Sequence, residues 1–130
     1  MEIRDTGRAI YLQIAEFVCK KILLDEWLPE TKIPSVRELA VQLTVNPNTV
    51  ARSYEVLKTN GIIIDKRGIG YFVEKEGKQQ AKNFRQADFL ENELPTFFNT
   101  LHTLGIELND LEPKFQVFKQ QLKTKQDENQ

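Results

Sequence analysis

Residues 33 to 73 constrain this chain more than any other stretch, because caps, stops and turn residues succeed one another there at fixed spacing. The run Ile33-Pro-Ser-Val-Arg-Glu-Leu-Ala opens a helix at Ser35, where Ser35 and Glu38 form the S-x-x-E pattern of a capping box. Pro34 discourages helix upstream of it. Leu39, Ala40 and Leu43 then supply one apolar stripe, and Thr44 and Val45 make a short turn. Asn46 is a good cap for a second helix, with Pro47 at the first helical position. Val50, Tyr54 and Leu57 recur at helical spacing and are expected in a core. Asn48, Thr49, Arg52 and Ser53 are expected on the opposite side. Gly61, after Asn60, supplies a left-handed stop.

A hairpin comes next. Ile62, Ile63 and Ile64 are a β-branched run and read as a strand, and Tyr71, Phe72 and Val73 form the return strand. Gly68 and Gly70 permit a tight turn between them, and Lys66 and Arg67 sit at its base or tip. Helix, turn, helix and hairpin in that order make a winged helix-turn-helix, a shape that sets one helix in the major groove of DNA. The candidate DNA-contacting residues are Ser35, Arg37, Asn46, Asn48, Thr49, Arg52, Lys66, Arg67, Gly68 and Gly70. Arg52 is the candidate base reader, since arginine bidentate to guanine is the commonest specific contact. Arg37 reads either as a phosphate or base contact or as a solvated helix arginine. Asn46 is first of all a cap. Asn48 and Thr49 lie at a helix N-terminus, where backbone amides also bind phosphate.

These residues resemble the GntR family of bacterial transcription regulators. The Pro34-Ser-Val-Arg-Glu-Leu-Ala block, the Asn46-Pro-Asn-Thr-Val-Ala-Arg-Ser-Tyr helix and the Arg67-Gly-Ile-Gly-Tyr-Phe-Val wing carry the resemblance, which covers about residues 9 to 75. The Asn-Pro-Asn-Thr-Val form in so short a chain is similar to the YtrA subfamily. Two departures stand out: Pro29-Glu30, where Pro-Gly is usual, and Ala9-Ile10-Tyr11, where Pro-Ile-Tyr is usual. Both fall off the expected DNA face. The resemblance implies a homodimeric regulator, a repressor of a nearby operon, with a short helical C-terminal region used for dimerisation.

Composition narrows the alternatives. No apolar run approaches the ~20 residues of a membrane span, so no membrane role is expected. The segment from Ile10 to Leu24 is interrupted by Gln13, Glu16, Lys20 and Lys21 and is not a signal peptide. A single cysteine, Cys19, excludes an intramolecular disulfide and a multi-cysteine metal site, and suits a reduced cytoplasmic protein. The formal net charge is −1, so any affinity for DNA rests on where the bases sit rather than on their number. Residues 1–75 carry 11 Lys and Arg against 10 Asp and Glu, and residues 76–130 carry 7 against 9. Arg37, Arg52, Lys66 and Arg67 are expected on one surface. No Ser-His-Asp set, phosphate loop or ligand-spaced cluster is visible, which argues against an enzyme, a metal or a cofactor. His102 reads as a surface or interface histidine and Cys19 as a small core residue.

The rest of the chain is read as helical. Residues 9 to 24 form an amphipathic helix with Ile10, Ile14, Phe17, Val18 and Ile22 on its apolar face, and Trp27 covers its end. Residues 29 to 34 are a short extended piece that can add a third strand to the wing. Residues 76–80 read as a polar linker. Beyond it Ala87, Leu90, Leu94, Phe97, Leu101 and Leu104 recur at heptad spacing, with Pro95 bending or breaking the helix and Gly105 ending it. A second amphipathic segment runs from about Leu108 to Leu122 and presents Leu111, Phe115, Phe118 and Leu122 on one face. An αα-hairpin of this size cannot bury so many aromatics alone, and a second copy is the simplest partner. The expected dimer interface is Ala87, Leu90, Leu94, Phe97, Phe98, Leu101, Leu104, Phe115 and Phe118.

The expected organisation is therefore α+β: a winged helix-turn-helix over 1–75, a linker over 76–80, a helical dimerisation region over 81–122 and a disordered tail over 123–130. The partners expected are a double-stranded DNA operator and a second copy of the chain, with any small-molecule effector unknown. Two rival readings are a winged-helix module that binds protein, and a ligand sensor enclosing a small apolar molecule among Phe97, Phe98, Phe115 and Phe118.

Overall fold

In the computed structural model, which describes residues 7–128, helix α1 spans Ile10–Leu23 and supplies the back wall of the core. Its Ile14, Ala15, Val18, Cys19 and Ile22 are buried, a stripe at helical spacing. Ile10 was expected on that stripe but is 46% exposed, because it opens the helix one turn beyond the packed region. Lys20 and Lys21 close the last turn, where cations suit the helix dipole. Trp27 packs edge-on against Phe17 at 6.3 Å. Burial pushes the Cys19 thiol up to about 12, so it stays protonated and behaves as a core residue.

Helix α2, Val36–Leu43, begins with both halves of the capping box: Glu38 N–H donates to Ser35 Oγ at 3.1 Å, and Ser35 N–H donates to Glu38 Oε1 at 3.0 Å. The Ser35 N–H, and after it the Ser35 hydroxyl, hold the exposed Glu38 carboxyl below its ordinary range. Thr44 ends the helix in the left-handed region, φ 56°. Helix α3, Pro47–Thr59, comes after it, with Asn48 N–H donating to Asn46 Oδ1 at 2.8 Å. Val50, Tyr54 and Leu57 are fully buried. Ser53, expected on the exposed side, is fully buried too. Its hydroxyl donates to the Tyr11 carbonyl at 2.6 Å and the Thr49 carbonyl at 3.1 Å, so α1 crosses α3 at this residue.

Strands β1, Ile63–Lys66, and β2, Gly70–Val73, pair antiparallel with Ile63 opposite Val73 and Lys66 opposite Gly70. The extended piece at 29–34 does attach: Lys32 bridges Phe72, Ile33 N–H donates to the Tyr71 carbonyl, and Val73 N–H donates to the Thr31 carbonyl. Glu30 takes φ 63° there, the backbone region for which glycine is best suited, while its N–H donates to the Val73 carbonyl at 2.9 Å. The hydroxyl of Tyr54 donates to the Pro34 carbonyl at 2.7 Å, and its ring meets that of Tyr71 edge-on at 4.8 Å. One side chain thus ties α3 to the cap of α2 and to the wing.

The linker expected at 76–80 is instead the start of helix α4, Gly77–Asp88. Gly77 is buried so tightly that a Cβ there would stand 2.7 Å from the Ile62 carbonyl oxygen and 2.8 Å from Val73 Cγ1. Ala81 is fully buried, and Phe84 packs against the same core. Polar composition suggested a linker; the spacing of Gly77, Ala81 and Phe84 is that of one helix face. Helix α4 lies on α1 and is held there by an ion network. Arg8 pairs with Glu16 and with Asp88, and Arg85 bonds Glu16 and Asp88, each at 3.0 Å. Helix α4 therefore belongs to the winged domain, which closes at Asp88, and not to a dimerisation region beginning at 81.

A second unit runs from Phe89. It opens with a π-helical turn, Phe89–Glu93, succeeded by α5, Leu94–Leu104, and α6, Leu108–Glu128. The wide turn stands just before Pro95, which lacks an N–H and whose ring would crowd a carbonyl four residues back. The heptad pattern from Ala87 to Leu104 is thus not carried on one uninterrupted α-helix, since the π turn shifts the register within it. Helix α5 stops at Gly105. Helix α6 continues to Glu128, through six of the residues expected as a disordered tail. Residues 129–130 of that tail and 1–6 of the first domain lie outside the described residues.

Candidate nucleic-acid interface

The exposed N-terminal half of α3 is the natural starting point, because helix ends carry unpaired N–H groups. Asn46, Asn48 and Arg52 are exposed and Thr49 is half-buried. The Asn46 side chain is committed to capping Asn48 N–H, which leaves less of it for a base. Among the described residues the Asn48 side-chain amide has no hydrogen-bond partner. Arg37 stands exposed near the start of α2, and Ser35 is committed to the capping box.

Arg52 does not hang free. Its guanidinium carbon lies over the Tyr11 ring at 3.8 Å from the centroid. Tyr11 sits in the first turn of α1, and Ser53, the residue after Arg52, donates its hydroxyl to the Tyr11 backbone. The Ala9-Ile10-Tyr11 segment, expected off the DNA face, therefore touches the candidate base reader. That contact had no signal in helical periodicity, because it joins residues 41 positions apart in the sequence.

In the wing, Lys66, Arg67 and Gly68 are exposed at the turn, with Gly68 at φ 77°. The register puts Ile64, Lys66, Gly70 and Phe72 on one face of the hairpin. Lys66 Nζ lies over the Phe72 ring at 4.4 Å. On that same face Lys32 crosses Gly70: a Cβ at Gly70 would stand 2.8 Å from Lys32 Cε. Gly70 is thus needed both for its φ of 136° and for the close passage of a lysine. Lys32 was absent from the residues singled out by sequence, and only the bridge to Phe72 brings it here.

Comparison with known proteins agrees with this order of helices and wing. A family model described as "Bacterial regulatory proteins, gntR family" matches residues 10–73. The HTH-type transcriptional repressor YtrA of Bacillus subtilis is 33% identical over 78% of this chain and 78% of its own length. This chain belongs to the GntR family. It is YtrA-like, a transcriptional regulator of the kind that binds DNA, on a winged-helix fold. A second B. subtilis relative, the regulator YhcF, is 41% identical over 56% of this chain, but the match spans only 60% of YhcF. Among solved structures, a GntR-family transcriptional regulator from Bacteroides thetaiotaomicron aligns with TM-score 0.71 and 46% identity, over 88% of this chain and 99% of that one.

The residues expected at a dimer interface divide by exposure. Leu90 is 58% exposed, Phe97 43%, Phe98 47%, Leu104 65%, Phe115 53% and Phe118 53%. Leu94 is half-buried, Leu101 is buried, and Ala87 lies exposed on α4 in the winged domain. An open groove along α6 is lined by Gln116, Val117, Gln120, Gln121, Thr124, Lys125 and Glu128, and by none of the four phenylalanines. Among the described residues no group of His, Cys, Asp and Glu is arranged to hold a metal ion. Nor is any described helix long and apolar enough to cross a membrane.

Proposed function

We propose that this regulator is a cytoplasmic repressor that binds a two-fold symmetric operator as a homodimer. The observation that carries the DNA-binding half is the solvent-facing start of α3, with Asn48 and Arg52 exposed on a helix whose other face, Val50, Ser53, Tyr54 and Leu57, is buried in the core. In this reading Arg52 reads a base, Asn48 and Thr49 contact the DNA at the helix N-terminus, and Arg37 meets a phosphate. Lys66 and Arg67, with Lys32 beside them, neutralise phosphates along the wing. Gly68 and Gly70 let the hairpin backbone approach, and Ser35 and Asn46 serve mainly as caps.

The dimer rests on a separate observation. Helices α5 and α6 leave Phe97, Phe98, Leu104, Phe115 and Phe118 between 43% and 65% exposed. Exposed apolar surface of this kind marks an interaction site, and a second copy offers the same surface in return. The repressor reading draws on the name of the relative YtrA.

The test begins with duplexes selected by the protein from a random pool. An inverted repeat, protected symmetrically in footprinting, is expected, along with a dimer in sedimentation and silencing of a promoter that carries the repeat. Arg52→Ala should weaken binding to the selected duplex by ~1–3 kcal/mol and relax preference at one base pair per half-site. A selected site without two-fold symmetry, or a protein that is monomeric both free and on DNA, overturns the homodimer. Unchanged base preference in Arg52→Ala overturns the reading role.

A further inference from the structure

We infer that Tyr11 is a positioning residue for Arg52, a platform that holds the guanidinium flat and leaves its N–H edge turned outward for a base. The inference rests on the base-reading role proposed for Arg52. Three observations carry it. The guanidinium carbon lies 3.8 Å from the centre of the Tyr11 ring, a cation held on an aromatic face. The Ser53 hydroxyl, one residue beyond Arg52, bonds the Tyr11 carbonyl at 2.6 Å, so the backbone bearing the ring is fixed to the helix bearing the arginine. Among the described residues no carboxylate forms an ion pair with Arg52, which leaves the ring as its partner.

The chemistry of guanidinium makes this arrangement useful. Its donors all lie in the plane of the group and point out from the edge, whereas its two faces carry none. A ring that covers a face therefore takes nothing from the hydrogen-bonding capacity needed at guanine. It removes rotamers that would otherwise be lost on binding, which lowers the cost of ordering the side chain at the interface. A platform also fixes the plane of the fork, and bidentate pairing with a base edge depends on that plane. Tyr11 thus affects discrimination between sequences more than affinity for phosphate.

The test measures binding by fluorescence anisotropy to two labelled duplexes: one selected in vitro by the wild-type protein, and a scrambled version of it. Tyr11→Phe keeps the π-face and should keep the discrimination. Tyr11→Leu keeps apolar bulk and the Ser53 bond to the backbone, but loses the face. It should cut discrimination about two- to five-fold, the equivalent of an exposed cation–π contact, with the scrambled duplex bound as before. In an Arg52→Ala background, Tyr11→Leu should change nothing further. Equal weakening on both duplexes, or an effect that adds to that of Arg52→Ala, overturns the inference and marks Tyr11 as merely structural. If Arg52→Ala alone leaves discrimination intact, the base-reading role itself fails and takes this inference with it. If Arg52→Ala lowers discrimination while Tyr11→Leu does not, only the platform fails.

Discussion

Tyr54→Phe deletes one oxygen atom from the centre of the winged domain and should cost about 1–1.5 kcal/mol of stability at neutral pH. The ring stays, with its edge contact to Tyr71, so no cavity forms. The loss is the hydrogen bond to the Pro34 carbonyl at 2.7 Å. A neutral bond is worth about 0.5–1.5 kcal/mol net, and an acceptor left without a partner costs more. Pro34 is only half-buried, so water can partly replace the phenol and the cost stays near that range. For a domain of this size the melting temperature should fall by about 5–10 °C. Trp27 is the only tryptophan, and it packs within this domain, so its fluorescence reports the unfolding of that unit.

The pH dependence supplies a second arm. Burial, then the neighbouring Tyr71 and Glu38, push the Tyr54 phenol above its ordinary range. The unfolded phenol ionises near ~10. A group whose folded pKa is raised contributes stability that is whole below the unfolded value and is lost as pH climbs past it. Wild type should therefore lose about 1.4 kcal/mol per pH unit above ~10 through Tyr54, a loss that Tyr54→Phe escapes. The two proteins should reach equal stability near pH ~11, since Tyr71 and Cys19 titrate alike in both. Urea unfolding at a series of pH values checks this. A stability gap that stays constant from neutral to alkaline pH would refute a buried, protonated donor at Tyr54.

Lys66→Ala or Arg67→Ala should weaken selected and scrambled duplexes about equally and shallow the salt dependence of binding by ~1 per lost phosphate contact, as read from titrations at several salt concentrations. Phe97→Glu or Phe118→Glu places a charge on an exposed apolar face and should shift sedimentation from dimer to monomer while far-UV circular dichroism keeps its helical signal; Leu101, buried within its own unit, is a poor site for this test. Glu30→Gly relieves a non-glycine residue at φ 63° and should raise stability by about 0.5–1 kcal/mol after the greater entropy of an unfolded glycine is deducted, measurable by thermal melting.

Features set by neighbouring residues were legible in the sequence, because their physics is local. The capping box at Ser35 and Glu38, the Asn46 cap with Pro47, the wing glycines and the stop at Gly105 each act within a few positions. Family motifs extended that reading to the winged helix as a whole. Features set by distant residues were not legible. Ser53 looked solvent-facing by helical spacing, yet α1 crosses α3 there and turns its hydroxyl inward. The polar stretch after Glu76 looked like a linker, yet Gly77 fits against the Ile62 carbonyl and starts a helix that Arg85 and Arg8 bind to α1. The heptad spacing was real, but Pro95 forces a wide turn into it, and spacing alone cannot reveal which helical register survives. Lys32 and Tyr11 joined the candidate interface only through contacts made across the fold. Caps and turns depend on backbone groups two or three residues away, which any stretch of sequence displays. Burial and side-chain contact depend on which surfaces meet, and that is decided only when the whole domain has closed.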